Sequence, residues 1–299
     1  MSNITVENGT EPDLSNTAYA VVLGSVTALG FPLNAVSLWI LLCCHSRKSP
    51  STIFMIHLAI SDLLLAASLP LRVYFYATGS WPFGFMTCIW VTMLFRNNIR
   101  SSSIFITFIS VDRLLAVVYP LRSRHLRTSS NACKAVALVW VLVCALNIPE
   151  SITFWRFHSN KSRCFEFGDR FEFDDRFEFE DRPRSGLSYF QPVLVLAMLA
   201  VNVVSTVLVS RTLRRHLSDS ARVFNKVNVM LIFAMNLIMF SVFFLPVSLF
   251  LIFKKSGPAL TPLVCLASVN CCLDPLLYYF SFDGFWKRKE DADSSGGRE

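Results

Sequence analysis

Seven long apolar stretches are the feature that most restricts how this chain can fold. They run over 18–44, 51–78, 85–119, 131–155, 187–213, 223–253 and 258–282. A helix needs about 20 apolar residues to cross the roughly 30 Å hydrocarbon core of a bilayer, and every stretch exceeds that length. Unpaired backbone polar groups are costly in lipid, so such segments cross as helices. The sequence therefore predicts an all-α membrane protein, a seven-transmembrane helix bundle.

The composition agrees with a membrane protein and argues against a nucleic-acid partner. Hydrophobic residues make up 53% of the chain and charged residues only 16%. The basic residues behind the net charge of +7 lie in short segments between the apolar stretches, where they act as topology signals. The nine cysteines show no spacing suited to zinc, so we expect no metal held by thiolates.

The distribution of basic residues predicts the orientation in the membrane. The cytoplasmic side is marked by Arg47, Lys48, Arg122, Arg124, Arg127, Arg211, Arg214, Arg215, Arg222, Lys226, Lys287, Arg288 and Lys289. The segment before the first stretch has no basic residue and is placed outside. We therefore expect a multi-pass plasma-membrane protein with an extracellular segment 1–17, a seven-helix domain 18–282 with its second outer loop at about 156–186, and a short cytoplasmic amphipathic eighth helix and tail over 283–299.

Two cysteines on the predicted outer side are positioned to form a disulfide. Cys88 opens the third stretch and Cys164 lies in the second outer loop. These thiols can bridge in an oxidising compartment, and the alternative is that both stay free. Three glycosylation sequons, at Asn3, Asn8 and Asn160, also fall on the outer side. They agree with the topology, although sequons also arise by chance.

The second outer loop contains three near-identical hexapeptides, FEFGDR at 165–170, FEFDDR at 171–176 and FEFEDR at 177–182. Alternation of Phe with charged residues has the period of a strand, so a hairpin over the mouth of the bundle is one interpretation. A solvated insertion without a specific role is the other.

Basic residues in the outer halves of the stretches are candidate ligand-binding residues. They are Arg72, Arg96, Arg100, Lys254 and Lys255. An ionisable side chain inside a span costs about 2.5 to 3.5 kcal/mol at the bilayer centre, so each is a functional candidate. We expect no acidic residue at the same depth, so the counter-charge would come from an anionic lipid or small-molecule agonist gripped by arginine forks. The alternative is that these side chains reach the interface or bind loop carboxylates.

Two neighbours in the third stretch sharpen this expectation. Arg96 and Arg100 are four residues apart, so they share one helix face, where their charges repel unless something negative lies between them. Phe95 and Tyr76 fall in the same region, and a lipid with a phosphate head and an acyl chain would use both features. The alternative is that these aromatic rings are simply core.

Short motifs resemble the rhodopsin-like class of G-protein-coupled receptors over nearly the whole chain. They are GFPLN at 30–34, HLAISD at 57–62, VDRL at 111–114, the tryptophan at 140, FSVFFLP at 240–246 and NCCLDPLLY at 270–278. SLPLR at 68–72, WPF at 81–83, YPLRSRHLR at 119–127 and NCCLDPLLYYFS at 270–281 resemble the lysophosphatidic acid and purinergic-nucleotide branch of that class. The resemblance implies a receptor that binds an extracellular ligand and activates heterotrimeric G proteins.

The same resemblance implies an ion site in the middle of the membrane. Asp62 and Asp274 lie at similar depth, with Ser102 and Asn34 in position to help. In the family this cluster holds a sodium ion in the inactive state, and we expect no other cofactor. A shared proton or a purely structural hydrogen-bond network are the alternatives.

The activation residues implied by the family lie nearer the cytoplasmic side. They are Asp112, Arg113, Phe244, Pro246, Pro275 and Tyr278. Arg113 would hold the inactive state and then meet the G protein, and Pro246 would allow the sixth span to pivot. The acidic partner of Arg113 expected on span six is replaced by Lys226. This replacement predicts that Arg113 is only weakly held in the inactive state and that basal signalling is elevated.

The fifth span departs from the family pattern, because Met198 and Thr206 stand where a proline and a tyrosine are usual. That tyrosine normally pairs with Tyr278 in the active state, so the departure bears on the strength of coupling. Leu114 and His57 are milder departures.

Other functions receive less support. No enzyme motif such as HExxH or GxSxG occurs, and the last span has no lysine for a retinal Schiff base. A proton-coupled transporter could use Asp62 and Asp274, but the halves of the chain show no repeat symmetry. Within the receptor interpretation, a nucleotide or a small carboxylate is the alternative to a lysophospholipid.

Overall fold

A computed structural model describes residues 14–43, 49–158, 189–215, 223–253 and 260–295. The helices are α1 (Leu14–Cys43), α2 (Pro50–Thr78), α3 (Gly84–Val118), a 3₁₀ turn (Arg122–His125), α4 (Ser129–His158), α5 (Phe190–Arg215), α6 (Val223–Ile238), a π-helical segment (Met239–Phe244), α7 (Leu245–Phe253) and α8 (Leu260–Ser295). No strand occurs in these ranges. Seven helical spans are long and apolar enough to cross a membrane, which confirms the predicted architecture.

The helices pack side by side around α3. This helix contacts α2, α4, α5 and α6, while α8 closes the bundle against α1, α2 and α6. One large cluster of buried apolar side chains fills the interior, with Leu58, Leu65, Phe105, Phe240 and Phe244 among its fully enclosed members. Because α3 is surrounded, its polar residues also turn inward, which is what makes an internal site possible.

The sixth span consists of α6, the π-helical segment and α7 in unbroken succession. The π-helical segment ends at Phe244, two residues before Pro246. A proline lacks the N–H that would bond the preceding turn, and a π turn inserts one extra residue there, so the span is weakened at this point. Phe240 and Phe244 turn inward and meet edge to face, with ring centroids 5.5 Å apart. This is the position expected for a pivot.

The closest approach of the first and last spans depends on a glycine. A Cβ atom added at Gly30 would lie 2.8 Å from Cys271 Sγ, so the buried Cys271 side chain or one of the two helices would have to shift. One turn later, the Asn34 side-chain amide donates to the Cys271 carbonyl at 2.6 Å and to the Gly30 carbonyl at 2.9 Å. The GFPLN and NCC motifs therefore build one α1–α8 contact.

Both ends of the bundle differ slightly from the predicted boundaries. Helix α1 begins at Leu14, inside the segment predicted as 1–17. Helix α8 runs without a break from Leu260 to Ser295, so the cytoplasmic helix predicted over 283–299 is helical through Ser295 as a continuation of the last span.

Candidate functional site

The first part of the outer site lies between α2 and α3. Arg72 is buried, with its guanidinium carbon 5.3 Å from the centroid of the Phe95 ring, a distance at which a cation is attracted to an aromatic face. Tyr76 lies one turn further along α2, close to Arg72, and is also buried. The structure thus brings together three of the predicted ligand-binding residues.

The second part contains an acidic residue at a depth where the sequence predicted none, so that prediction was wrong. Glu150 on α4 is buried and pairs with both arginines of α3. Its Oε1 accepts a hydrogen bond from Arg100 Nη2, and its Oε2 lies 3.6 Å from Arg96 Nη1. The expectation was wrong because Glu150 lies within the predicted fourth stretch, 131–155, about two turns before the end of α4 at His158, and therefore reaches the depth of the two arginines.

The two arginines are not equivalent within this cluster. The side chain of Arg100 is 1% exposed, whereas that of Arg96 is 35% exposed. Two guanidinium groups share one carboxylate, so one positive charge is left uncompensated within the cluster. A buried charge without a partner is strongly unfavourable, and Glu150 relieves that cost for Arg100.

The predicted cationic residues therefore form two groups instead of one. Arg72 lies near Tyr76 and near Cys265 of α8, with its guanidinium over the Phe95 ring of α3. Arg96, Arg100 and Glu150 form the other group, between α3 and α4. Lys254 and Lys255 lie outside the described residues, so their predicted role stays a prediction.

Three members of the predicted mid-membrane cluster lie together, and a further residue joins them. Asn34, the fourth predicted member, instead donates to two backbone carbonyls of the α1–α8 contact. Asp62, Asp274 and Ser102 are fully buried, and the two carboxyl groups are close enough to interact. Asn98 of α3 donates from its side-chain amide to Asp62 Oδ1 at 2.8 Å and to Ser102 Oγ at 3.3 Å. Asn98 lies four residues before Ser102, so the helical spacing was a usable signal.

Several buried oxygens of this cluster accept no hydrogen bond from an amide or hydroxyl group. They are Asp62 Oδ2, both oxygens of Asp274 and the side-chain oxygens of Asn98 and Asn34, and the two carboxyl groups are close enough to share a proton. Buried polar atoms normally have partners, so these oxygens suit a small hard cation or water. In the part of the chain that the structure describes, no group of three or more His, Cys, Asp or Glu residues could hold a metal ion, so a cation here would also need amide and hydroxyl oxygens.

On the predicted cytoplasmic side, Asp112 is bound by Arg127, which the sequence pattern indicated only as a marker of topology. Arg127 Nε and Nη2 donate to the two Asp112 oxygens at 2.8 and 3.2 Å, and Ser51 Oγ donates to Oδ2. These bonds raise the pKa of the Arg127 guanidinium, which therefore stays charged. Arg113 forms no ion pair with any described residue, and the side chain of Lys226 is not among those described.

Two of the other predicted activation residues lie in the interior. Tyr278 and Phe244 are fully buried, and the Tyr278 hydroxyl has no hydrogen-bond partner among the described atoms. Pro275 lies inside α8, one turn before Tyr278. In the fifth span, Asn202 donates to Thr107 Oγ1 of α3 at 2.8 Å, a polar link that the sequence analysis missed.

The predicted modification sites fall mostly outside the described residues. Cys88 is disulfide-bonded, but Cys164 is not among the described residues, so their pairing stays a prediction. Asn3, Asn8 and Asn160 lie outside as well, as do the three hexapeptides.

Comparison with known proteins agrees with the motifs. The sequence model of the family described as 7 transmembrane receptor (rhodopsin family) matches residues 33–278 of this chain. Mouse lysophosphatidic acid receptor 6 is 32% identical over 286 residues, which cover 89% of this chain and 81% of the relative. Human lysophosphatidic acid receptor 4 is 33% identical over 300 residues, with 94% and 78% covered. Bovine lysophosphatidic acid receptor 5 is 34% identical over 289 residues, with 89% and 76% covered.

Proposed function

The chain belongs to the rhodopsin family of seven-transmembrane receptors, and from that premise we propose that it binds lysophosphatidic acid or a related lysophospholipid and activates heterotrimeric G proteins. It is a receptor and not an enzyme. Its relatives named as lysophosphatidic acid receptors match over most of their length and support this ligand class.

The observation that carries the proposal is the buried guanidinium of Arg72 against the Phe95 ring. Keeping a guanidinium inside a span is costly, and cationic side chains held there mark ligand pathways. An arginine fork binds a phosphate through two parallel hydrogen bonds, and the neighbouring rings of Phe95 and Tyr76 offer apolar surface for the rest of a lipid. The uncompensated charge of the α3–α4 group adds to the attraction for an anion.

Three further parts of the proposal follow from the family and the residues. The N-terminus lies outside the cell, with a Cys88–Cys164 disulfide and glycans at the outer sequons. In the inactive state a sodium ion would be held by Asp62, Asp274, Ser102 and Asn34, joined by Asn98. Buried oxygens of the two aspartates and the two asparagines accept no hydrogen bond from an amide or hydroxyl group, which fits a hard cation. Bound there, it would neutralise two carboxylates that otherwise repel each other.

The test is a ligand panel on wild type and Arg72→Ala at matched surface expression. The panel contains lysophosphatidic acid, a nucleoside diphosphate and a fatty acid, with second-messenger production as the readout. We expect only lysophosphatidic acid to activate the wild type, and Arg72→Ala to lose at least about tenfold in potency, because a charge-assisted hydrogen bond contributes about 1.5 to 3 kcal/mol.

Arg72→Lys is the matched control, since it keeps the positive charge but loses the planar guanidinium that can form two parallel hydrogen bonds. We expect its loss of potency to be smaller than that of Arg72→Ala. An unchanged potency in Arg72→Ala would remove this residue from the site. A response to the nucleotide or the fatty acid alone would replace the lysophospholipid with that ligand. Substrate flux in vesicles, without nucleotide exchange on an added G protein, would instead favour a transporter.

A further inference from the structure

We propose that Glu150 competes with the anionic head group of the ligand for Arg96, and that the head group takes the place of Glu150 on Arg96 when the ligand binds. In this arrangement Glu150 sets the affinity and the charge preference of the outer site. The inference rests on the proposed function, since it requires an anion to bind beside Arg96.

The two contacts of Glu150 differ in strength. Arg100 forms a direct hydrogen bond to Oε1, and both side chains are almost completely enclosed. The Arg96 contact to Oε2 is 3.6 Å long, outside the 2.7 to 3.2 Å range of a hydrogen bond. Consistently, Glu150 Oε2 is buried without a hydrogen-bond partner. Glu150 is therefore firmly bound to Arg100 and only loosely to Arg96.

The two arginines also differ in how accessible they are, and the more weakly bound one is the more exposed. Arg100 is too enclosed for an external anion to reach, whereas about a third of the Arg96 side chain is exposed. An incoming phosphate oxygen can therefore approach Arg96 at a true hydrogen-bonding distance while the Arg100–Glu150 bond stays intact. The only interaction lost is the long contact to Oε2.

The negative charge of Glu150 opposes the binding of an anion at Arg96. The carboxylate lies beside the guanidinium that the anion approaches, so it repels the ligand as it attracts Arg96. Removing its charge raises the net charge of the cluster from one positive charge to two. Losing one unit charge a few ångströms from a bound anion, in a partly desolvated site, corresponds to a gain of at least about tenfold in affinity.

The experiment measures binding of lysophosphatidic acid to the full chain in lipid nanodiscs. Glu150→Gln removes the charge and keeps an oxygen that can accept from Arg100. We expect it to bind lysophosphatidic acid at least about tenfold more tightly than wild type. A monoacylglycerol, which has the chain and no phosphate, should bind both proteins equally.

Two further variants separate electrostatics from misfolding. Arg100→Met with Glu150→Met replaces the inner pair with apolar side chains, a change that buried ion pairs often tolerate, and keeps the net charge of the cluster at one. Its affinity should stay within about threefold of wild type. Adding Arg96→Gln to Glu150→Gln should abolish the gain, because Arg96 is the group released.

The outcomes distinguish the inference from the proposed function. If wild type and Glu150→Gln both fail to bind lysophosphatidic acid, the proposed function and the inference fall together. If wild type binds, but Glu150→Gln shows no gain while the double methionine variant binds normally, the inference alone is refuted. A gain that survives Arg96→Gln would also refute it.

Discussion

The ion pair between Arg127 and Asp112 leads to a prediction about signalling without ligand. In this structure Arg127 takes both oxygens of Asp112, and the neighbouring Arg113 has no carboxylate partner among the described residues. The resemblance to the family implies that Arg113 holds the inactive state when it is restrained and meets the G protein when it is released. We therefore expect the wild type to signal without ligand, and Arg127→Gln to reduce that signal.

The magnitude follows from the geometry of the pair. The Asp112 side chain is 5% exposed and that of Arg127 is 29% exposed, so the pair is only partly screened by water. Each charge-assisted hydrogen bond contributes about 1.5 to 3 kcal/mol, and partial exposure reduces two such bonds to the equivalent of about one. Without Arg127, the buried Asp112 carboxylate would form an ion pair with Arg113 instead. A stabilisation of about 1.4 kcal/mol for the restrained state lowers the active population about tenfold.

The assay is second-messenger production without ligand, normalised to surface expression and compared with mock-transfected cells. Arg124→Gln is the matched control, because Arg124 lies in the same loop, is exposed and forms no ion pair with the residues that the structure describes. In an Asp112→Asn background, Arg127→Gln should have no further effect, because the shared partner is gone. Basal signalling that is unchanged or higher in Arg127→Gln would refute the reasoning, as would an equal decrease in Arg124→Gln.

Two further predictions concern the interior of the bundle. Gly30→Ala should destabilise the receptor by about 1 to 3 kcal/mol, because the new methyl group would meet Cys271 Sγ at 2.8 Å, whereas Gly24→Ala should be tolerated since nothing lies within 4 Å. Apparent melting temperatures of both variants check this, and equal values would contradict it. Asp62→Asn should abolish the stabilisation of the ligand-free receptor by sodium, measured by replacing choline with sodium at constant ionic strength; sodium dependence retained in the variant would exclude Asp62 as a ligand of the ion.

The mid-membrane cluster shows how far residue identity and spacing carry a prediction. Asp62, Asp274 and Ser102 were predicted as one group and are buried together, because family motifs place each residue at a known depth and face. Asn98 was missed although it lies four residues before Ser102, where a helix puts it on the same face. Depth and face along one helix are local properties, so this member could have been found.

The ion pairs were different, because they join residues from separate segments. Nothing in the chain near Arg96 indicates that Glu150, more than fifty positions away, turns toward it. The same holds for Arg127 and Asp112, which meet only because the loop after α3 folds back on that helix. The sequence therefore overestimated how many of the buried arginines await a ligand anion, because Arg100 is already paired with Glu150, while the role of Arg72 stays a prediction.

The sequence by itself determined that this chain crosses a bilayer seven times as helices and that it belongs to a family recognisable from short motifs, because apolar length and helical spacing are properties of each segment alone. Only the tertiary structure decided which buried charges are already neutralised, because that depends on how neighbouring helices are rotated and how deep each one reaches. In a medium that cannot solvate a charge, those pairings determine where an anion can still bind.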